Sequence, residues 1–442
     1  MAKLIEKSKS YLQVFTEHRN WRKFLLNGSY GLEMEVNRIL YDGQLSDHPY
    51  PAAFGDRRTH PFLQSDYTEG MMELVTPVRH SLAAAHQELR ILTYLLQSHL
   101  SEKEALWPLS LPPVIEPEKV VWLDNFFEKH WEADYHKYLL ARYGSVHGII
   151  SGPHINIGIN EALLSNLFKL RGAEDWISFK NKFYFKLAQG LEANRGLLIY
   201  LFGASPLAIA KTDYQIPADL PCARSIRNSV YGYVNSPDLD VNYHDSFEQH
   251  VNQLENAVQS GMLYASSEFY GTVRFKGHGN YQALLQSGIE YLELRVIDTN
   301  PFSSYGLSLA DLEVINLIIL WIIIFEKEYS TDELIHLRQK ADQLALSTPE
   351  NPFKYDKTIL HELSVINNLF DGYFNQPLSR ITRMLNQVDQ TPANQLLKVG
   401  PNPIALQNWA RKTAKKRQTD FLQYQFQGSE YDLMARRLAG LD

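Results

Sequence analysis

The sequence predicts an α+β fold, a largely antiparallel sheet set among long helices. Three observations carry the prediction. Extended segments are scattered between helical ones without regular strand–helix alternation, acidic side chains sit inside segments patterned as half-buried strands, and everything after Gly306 reads as helical. A core over residues 1–305 with a helical region, 306–442, packed on it as one integrated unit is the expected organisation.

Taken in order, a helical opening from Lys9 to Leu26 stops at Asn27-Gly28, a C-cap signal. Tyr30 to Leu40 alternates and precedes the turn pair Asp42-Gly43, so it reads as a strand. A loop rich in His, Pro and Gly (47–61) is a candidate lid, and a second strand follows from Met71 to Val78. An amphipathic helix then covers about Leu82 to Leu100, and the prolines between Trp107 and Pro113 exclude that stretch from any helix interior. Helix is expected at Glu116–Arg142, strand at Val146–Ile159, and helices through Tyr200. Arg224 to Asn235 is irregular, a helix follows at about 245–262, and Phe269–Phe275 and Ile289–Ile297 supply the last strands. The helical remainder is interrupted at Ser347–Pro352.

Composition narrows the function classes. The 442 residues are 45% hydrophobic and 21% charged, as in soluble globular proteins. A formal charge of −7 provides no general basic field for nucleic acid, and the basic run Arg411–Arg417 reads as a solvated helix face. The apolar run Leu317–Phe325 is shorter than the roughly 20 residues that span a bilayer, so it reads as a buried helix. A lone cysteine, Cys222, and the lack of a charged-then-apolar leader suggest a reducing cytoplasm. Oligomeric state is not legible.

The acidic strands carry the chemistry. An ionised carboxylate removed from water costs several kcal/mol unless a cation or a set of donors compensates. Side chains two apart on a strand share a face, so Glu33 and Glu35 project together, away from Leu32, Met34 and Val36. By the same parity His154 pairs with Asn156 against Ile155, Ile157 and Ile159. Tyr291, Glu293 and Arg295 oppose Leu292, Leu294 and Val296, and Glu73 lies with Met71 and Val75. Each pair alone also fits a solvated outer face. If the strands form one sheet with coincident polar faces, Glu33, Glu35, Asp66, Glu73, His154 and Glu293 converge, and this donor set suits Mg²⁺ or Mn²⁺. Arg295 could then hold a phosphate or carboxylate with its planar fork.

Several blocks in order resemble the bacterial glutamate–cysteine ligase family: Gly31-Leu-Glu-Met-Glu35, Ser65-Asp-Tyr-Thr-Glu-Gly-Met-Met-Glu-Leu-Val-Thr-Pro77, Trp107-Pro-Leu-Ser-Leu-Pro112, Ser151-Gly-Pro-His-Ile-Asn156, Tyr200-Leu-Phe-Gly-Ala-Ser-Pro206, and Gly288-Ile-Glu-Tyr-Leu-Glu-Leu-Arg295 through Asn300-Pro301-Phe302. The resemblance covers about Gly31 to Gly306. It implies a glutamine-synthetase-like core, whose antiparallel sheet curls into a funnel holding Mg²⁺ and ATP. It also implies ATP-dependent joining of the glutamate side-chain carboxylate to the amine of L-cysteine through a γ-glutamyl phosphate, the first step of glutathione biosynthesis.

Carried over by motif, Glu33, Glu35, Asp66, Glu73, His154 and Glu293 resemble the metal ligands, and Glu293 and Arg295 the catalytic pair. Arg295, Asn156, Arg227 and Tyr233 resemble substrate contacts, with Tyr135, Leu139 and Tyr270 flanking the acceptor amine. Arg274 and Lys276 are candidate nucleotide-side cations, with an exposed strand edge as the other reading. Two departures bear on the acceptor: Gly148 stands where family members can carry Gln, and Ile155 where Tyr is common. A ligase using another amine, and a catalytically silent metal- or nucleotide-binding homologue, therefore stay open beside the main reading. The length leaves no room for an added ATP-grasp domain, so a bifunctional glutathione-making enzyme is not expected.

Overall fold

In the computed structural model, residues 9–57, 59–115, 130–209, 217, 220–235 and 238–442 are described. The central strand is β1, Ser29–Leu40, whose alternation of small or polar with apolar residues lets one face meet the core and the other a cavity. Around it stand β2 (Leu63–Ser65), β3 (Met71–Val75), β4 (Glu104–Leu106), β5 (Pro153–Gly158), β6 (Val273–Lys276) and β7 (Tyr291–Leu294). Among the described residues the sheet has seven strands and runs β2-β3-β1-β5-β7-β6, with β4 on the far end of β1, and its ladders are antiparallel. This is the α+β architecture expected from the sequence.

Register decides what the polar face brings together. Glu35 stands opposite Glu73 across β1–β3, and Glu33 opposite His154 across β1–β5. Asn156 stands opposite Glu293 across β5–β7, and Glu293 opposite Arg274 across β6–β7. A one-residue slip in any ladder would turn that strand's acids into the core, so register and burial specify each other.

The other face, with Leu32, Met34, Ile155, Ile157, Leu292, Leu294, Val273 and Phe275, is buried in a hydrophobic cluster shared with the helices behind it. The helix Leu82–Ser98 starts at Ser81, whose side chain accepts from Ala84 N. The helix Leu309–Phe325 is capped by a Ser308–Asp311 box and is apolar all round, which suits its position inside the molecule. That one cluster runs from Tyr11 to Leu385, joining the C-terminal helices to the sheet. Among the described residues, no helix is long and apolar enough to cross a membrane.

Several boundaries differ from the sequence reading. The opening helix is broken into Tyr11–Glu17, a 3₁₀ turn Arg19–Trp21 and Arg22–Leu26. Val146 does not start a strand: the helix His130–His147 continues through it, kinked at Gly144 (φ 78°), and β5 begins only at Pro153. The β-branched residues Val146, Ile149 and Ile150 suggested extension, but the backbone stays helical through His147. The expected helix from Glu116 lies partly outside the described residues. The short strands β2 and β4 were too brief to show periodicity. The 47–61 loop is not poised as a lid, since Tyr50 and Phe54 are buried, Tyr50 N donates to Glu69 Oε2 at 2.8 Å and Tyr50 Oη to Leu63 O at 2.7 Å.

Candidate active site

The polar face of β1, β3, β5, β6 and β7 floors a cavity of about 270 Å³. Its lining includes Glu33, Glu35, Asp66, Glu73, His154, Glu293, Arg295, Arg274, Lys276, Tyr135, Leu139, Tyr233 and Tyr270, all marked by the sequence. Asp66 comes from the turn between β2 and β3, where its N–H bonds Met71 O at 3.0 Å. A larger cavity, about 770 Å³, lies among the helices Trp176–Ala193 and Leu309–Phe325 and gathers no comparable acid cluster. Size alone would select that one; the convergence of titratable groups selects the sheet cavity.

Two of the predicted contacts stand behind the lining. Asn156 Nδ2 donates to Glu33 Oε1 at 2.7 Å and so orients that carboxylate. Arg227 lies beneath Gly152, where a Cβ would come 2.7 Å from its guanidinium, and its Nη1 donates to Arg295 O at 2.9 Å and Ile297 O at 3.0 Å. Asp298, which the sequence reading missed, anchors this layer. Its carboxylate accepts from Ala204 N (2.7 Å), Ser205 Oγ (2.7 Å), Ser225 Oγ (2.9 Å) and Asn228 Nδ2 (2.9 Å). Tyr67, Tyr143, His147 and Ser267 also line the cavity unannounced by the sequence. For Tyr143 and His147 the available signal was their helical spacing after Tyr135 and Leu139, hidden by the misread end of that helix.

The floor is a dense charge network. His154 Nδ1 lies 3.3 Å from Glu33 Oε2, 3.7 Å from Glu293 Oε1 and 3.3 Å from Arg295 Nη1. Arg295 Nη1 donates to Glu293 Oε1, and Lys276 Nζ lies 2.6 Å from Glu293 Oε2. Arg274 is tied back to Phe269 O at 3.0 Å and to Ser267 O. Arg295 also sits 5.6 Å over the Tyr233 ring.

These contacts divide the acids into two groups. Burial would raise Glu293, but Arg295 and Arg274 hold it well below the usual carboxylate range. Glu33, despite burial, is lowered chiefly by its hydrogen bond to His154. Burial pushes Glu35 up to about 8, with Asp66 adding repulsion. Glu73 is raised well above its ordinary value by burial and then by Asp66, Glu33 and Glu35. Asp66 opens toward the cavity, yet the surrounding walls withhold enough bulk water to raise it to about 6, with Glu33 contributing. His154 is pushed down to about 4 by burial and Arg295, so its imidazole is neutral at pH 7.

This donor set fits a divalent cation. Single ligand atoms of Glu33, His154 and Glu293 lie within 4.8 Å of one another. His154 Nε2 is buried without a hydrogen-bond partner among the described residues, 3.7 Å from Glu35 Oε1. Glu35 and Glu73, held protonated by burial and mutual repulsion beside the ionised Glu33 and Glu293 and a neutral imidazole with a free lone pair, are groups that a hard cation would discharge together.

Comparison with known proteins follows the same line. The glutamate–cysteine ligase family model matches residues 12–344. The chain is 34% identical over 406 residues to the glutathione biosynthesis bifunctional protein of Streptococcus agalactiae, covering 90% of this chain and 52% of that one. It is 36% identical over 341 residues to the counterpart in Streptococcus mutans, covering 77% of this chain and 45% of that one. The chain thus spans about half the length of these curated relatives. Among solved structures, a bifunctional glutathione synthetase from Pasteurella multocida superposes with a TM-score of 0.89 at 28% identity, covering 98% of this chain and 59% of that one. The glutamate–cysteine ligase of Francisella tularensis, solved with AMP, superposes with a TM-score of 0.81 at 22% identity, covering 94% and 93% of the two chains. The fold is that of the glutamine-synthetase-like ligases.

Proposed function

The chain belongs to the glutamate–cysteine ligase family, and on that premise we propose that it joins the side-chain carboxylate of L-glutamate to the amine of L-cysteine, with ATP converted to ADP and phosphate. A γ-glutamyl phosphate is the intermediate, and the product enters glutathione biosynthesis. The convergence of Glu33, Glu35, Asp66, Glu73, His154 and Glu293 with Arg295 and Lys276 on one cavity carries this reading.

The chemistry needs these parts. A carboxylate is a poor acyl donor and repels a triphosphate, so it must be activated, and negative charge must be neutralised while the γ-phosphoryl group is transferred to it. Mg²⁺, held by Glu33, Glu35, Asp66, Glu73, His154 and Glu293, would supply that neutralisation on the phosphate oxygens. Arg295, whose charge is secured by Glu293, holds the reacting carboxylate or phosphate from the floor. Asn156 keeps Glu33 turned to the cavity, and the Asp298 layer keeps Arg227 and the Arg295 backbone in place. Arg274 and Lys276 face the nucleotide side. Tyr135, Leu139, Tyr233 and Tyr270 receive the amine and exclude water, which would otherwise hydrolyse the acyl phosphate.

A second acceptor is favoured by one observation. A Cβ at Gly148 would fall 2.3 Å from Tyr67 Cε1, so the Tyr67 ring occupies the space a longer side chain at 148 would take. ADP release with Mg²⁺ and ATP, measured with glutamate alone and with a panel of amines, tests both readings. Turnover requiring both glutamate and cysteine is the expected outcome. Turnover with a different amine reassigns the acceptor, and silence with every combination defeats the ligase reading.

A further inference from the structure

Outside the metal-type cluster, one buried acid organises the other end of the cavity. Glu268 closes the 3₁₀ turn Ser266–Glu268 and is 0% exposed. Tyr143 Oη donates to its Oε1 at 2.6 Å, Tyr138 Oη reaches the same oxygen at 3.4 Å, and Tyr264 N donates to Oε2 at 2.6 Å. Arg142 Nε lies 3.8 Å from Oε1. Asn235 extends the connection, donating to Glu268 O at 2.7 Å while its Oδ1 accepts from Tyr270 N at 2.6 Å. One side chain thus ties the helix His130–His147 to segment 264–270, and through Asn235 to the loop bearing Tyr233.

Those pieces carry the aromatic wall. Tyr143 stacks on His147 with centroids 4.6 Å apart, His147 on Tyr233 at 5.4 Å, and Tyr233 packs on Tyr270 at 4.2 Å. All four residues line the cavity. An apolar side chain at 268 would fill the same space at lower desolvation cost, since burying a carboxylate is expensive even when it is paired. What the acid adds is direction. The Tyr143 hydroxyl proton is committed to Glu268, which leaves the phenolic oxygen only as an acceptor, with the Asn235 side chain donating toward it and one lone pair remaining. Burial and then the Glu268 hydrogen bond keep that phenol protonated far above neutral pH.

We propose that Glu268 is a positioning residue for the acceptor: it fixes the aromatic wall and presents the Tyr143 oxygen as a hydrogen-bond acceptor for the N–H of an incoming primary amine. The inference rests on the ligase reading above and concerns only the amine half of that reaction. Glutamate and ATP are assigned to the acidic floor and its cations, not to Glu268.

Steady-state kinetics of Glu268→Ala, Glu268→Gln and Tyr143→Phe test it. Glu268→Ala and Tyr143→Phe should each raise KM for the amine about tenfold, the scale of losing one hydrogen bond. KM for glutamate and ATP should stay within about twofold, and Glu268→Gln, which keeps one acceptor oxygen, should recover part of the loss. The Glu268→Ala/Tyr143→Phe double variant should be no worse than its worse parent, because both act through one contact. An unchanged amine KM, or an equal rise in all three KM values, overturns the proposal. Amide hydrogen exchange judges the brace without turnover: Glu268→Ala should speed exchange across 134–144 and 264–270 and leave β1 and β5 unchanged, and identical exchange overturns it. A wild-type enzyme silent with every amine would instead defeat the ligase reading, with exchange still deciding the brace.

Discussion

Glu33 on β1 and His154 on β5 face each other in register, with 3.3 Å between Glu33 Oε2 and His154 Nδ1. Neither is isolated. Asn156, two residues beyond His154, holds the other oxygen of Glu33, and Glu293 closes the group from β7. A ladder contact has become the centre of a charge network.

Glu293 is where that network meets its cations, so neutralising it should be the most damaging isosteric change on the floor. Glu293→Gln is expected to lower kcat by about 10²–10³-fold, the scale seen when one preorganised electrostatic group is lost. The amide still accepts from Arg295, so a soluble protein with cooperative unfolding is expected. ADP release and circular dichroism check the two halves, and near-normal turnover would remove Glu293 from the ligand set.

Cation uptake should be strongly pH-dependent. Glu35 and Asp66, with folded values near 8 and 6, and the more strongly raised Glu73 retain protons that a cation must displace. Mg²⁺ affinity should therefore fall as pH drops from about 8 to 6, by about tenfold per unit for each proton displaced. Linkage gives the matching sign for the metal-free protein. These acids bind protons more tightly folded than unfolded, so their stabilising contribution is full below their unfolded values and is lost as pH rises through the folded ones. The rise in Tm on adding Mg²⁺ should be larger at pH 8 than at pH 6. Calorimetry in buffers of different ionisation enthalpy counts the protons, and a pH-independent affinity would contradict the assignment.

Parity made much of the site legible. On β1, β5 and β7 a period of two, with branched apolar residues on the alternate positions, states which side chains share a face. Parity says nothing about which strands are neighbours or in what register, and Asp66, in a turn, has no parity at all. Its place was legible only from the acidic stretch at 65–73 and from the resemblance of that motif. Tyr143, His147 and Glu268 escaped notice because each is positioned by tertiary contacts between segments far apart in sequence. Gly144, a plausible helix terminator, instead kinks a helix that continues to His147.

Gly148 and Tyr67 are predicted to be coupled. A Cβ at 148 would meet the Tyr67 ring at 2.3–2.4 Å, and Tyr67 is buried against His136, with ring centroids 4.4 Å apart. Gly148→Gln should therefore destabilise by about 1–3 kcal/mol through overpacking. Tyr67→Ala opens a cavity of its own, but combined with Gly148→Gln it frees the space the new side chain needs. The double variant should be more stable than the sum of the singles by about 1 kcal/mol or more, read from denaturant midpoints. Strict additivity would show that the two positions do not compete.

Asp298 provides a separate test of the layer beneath the floor. It is 1% exposed, accepts from one backbone and three side-chain donors, and lies 3.9 Å from Arg227 Nη1. Arg227 has its remaining contacts to carbonyls of Arg295 and Ile297, so Asp298 is its nearest compensating charge. Removing that charge leaves a buried guanidinium uncompensated and several donors without an acceptor. Asp298→Ala should cost about 3–5 kcal/mol of stability, the scale for breaking one side of a buried pair. Asp298→Asn keeps one acceptor oxygen, so it should cost less while still loosening Arg227. Because Arg227 holds the Arg295 carbonyl, the Asn variant should lose turnover through Arg295 even where it remains folded. Chemical denaturation together with ADP release separates the two effects, and a folded Asn variant with full activity would show that Arg295 does not depend on this layer.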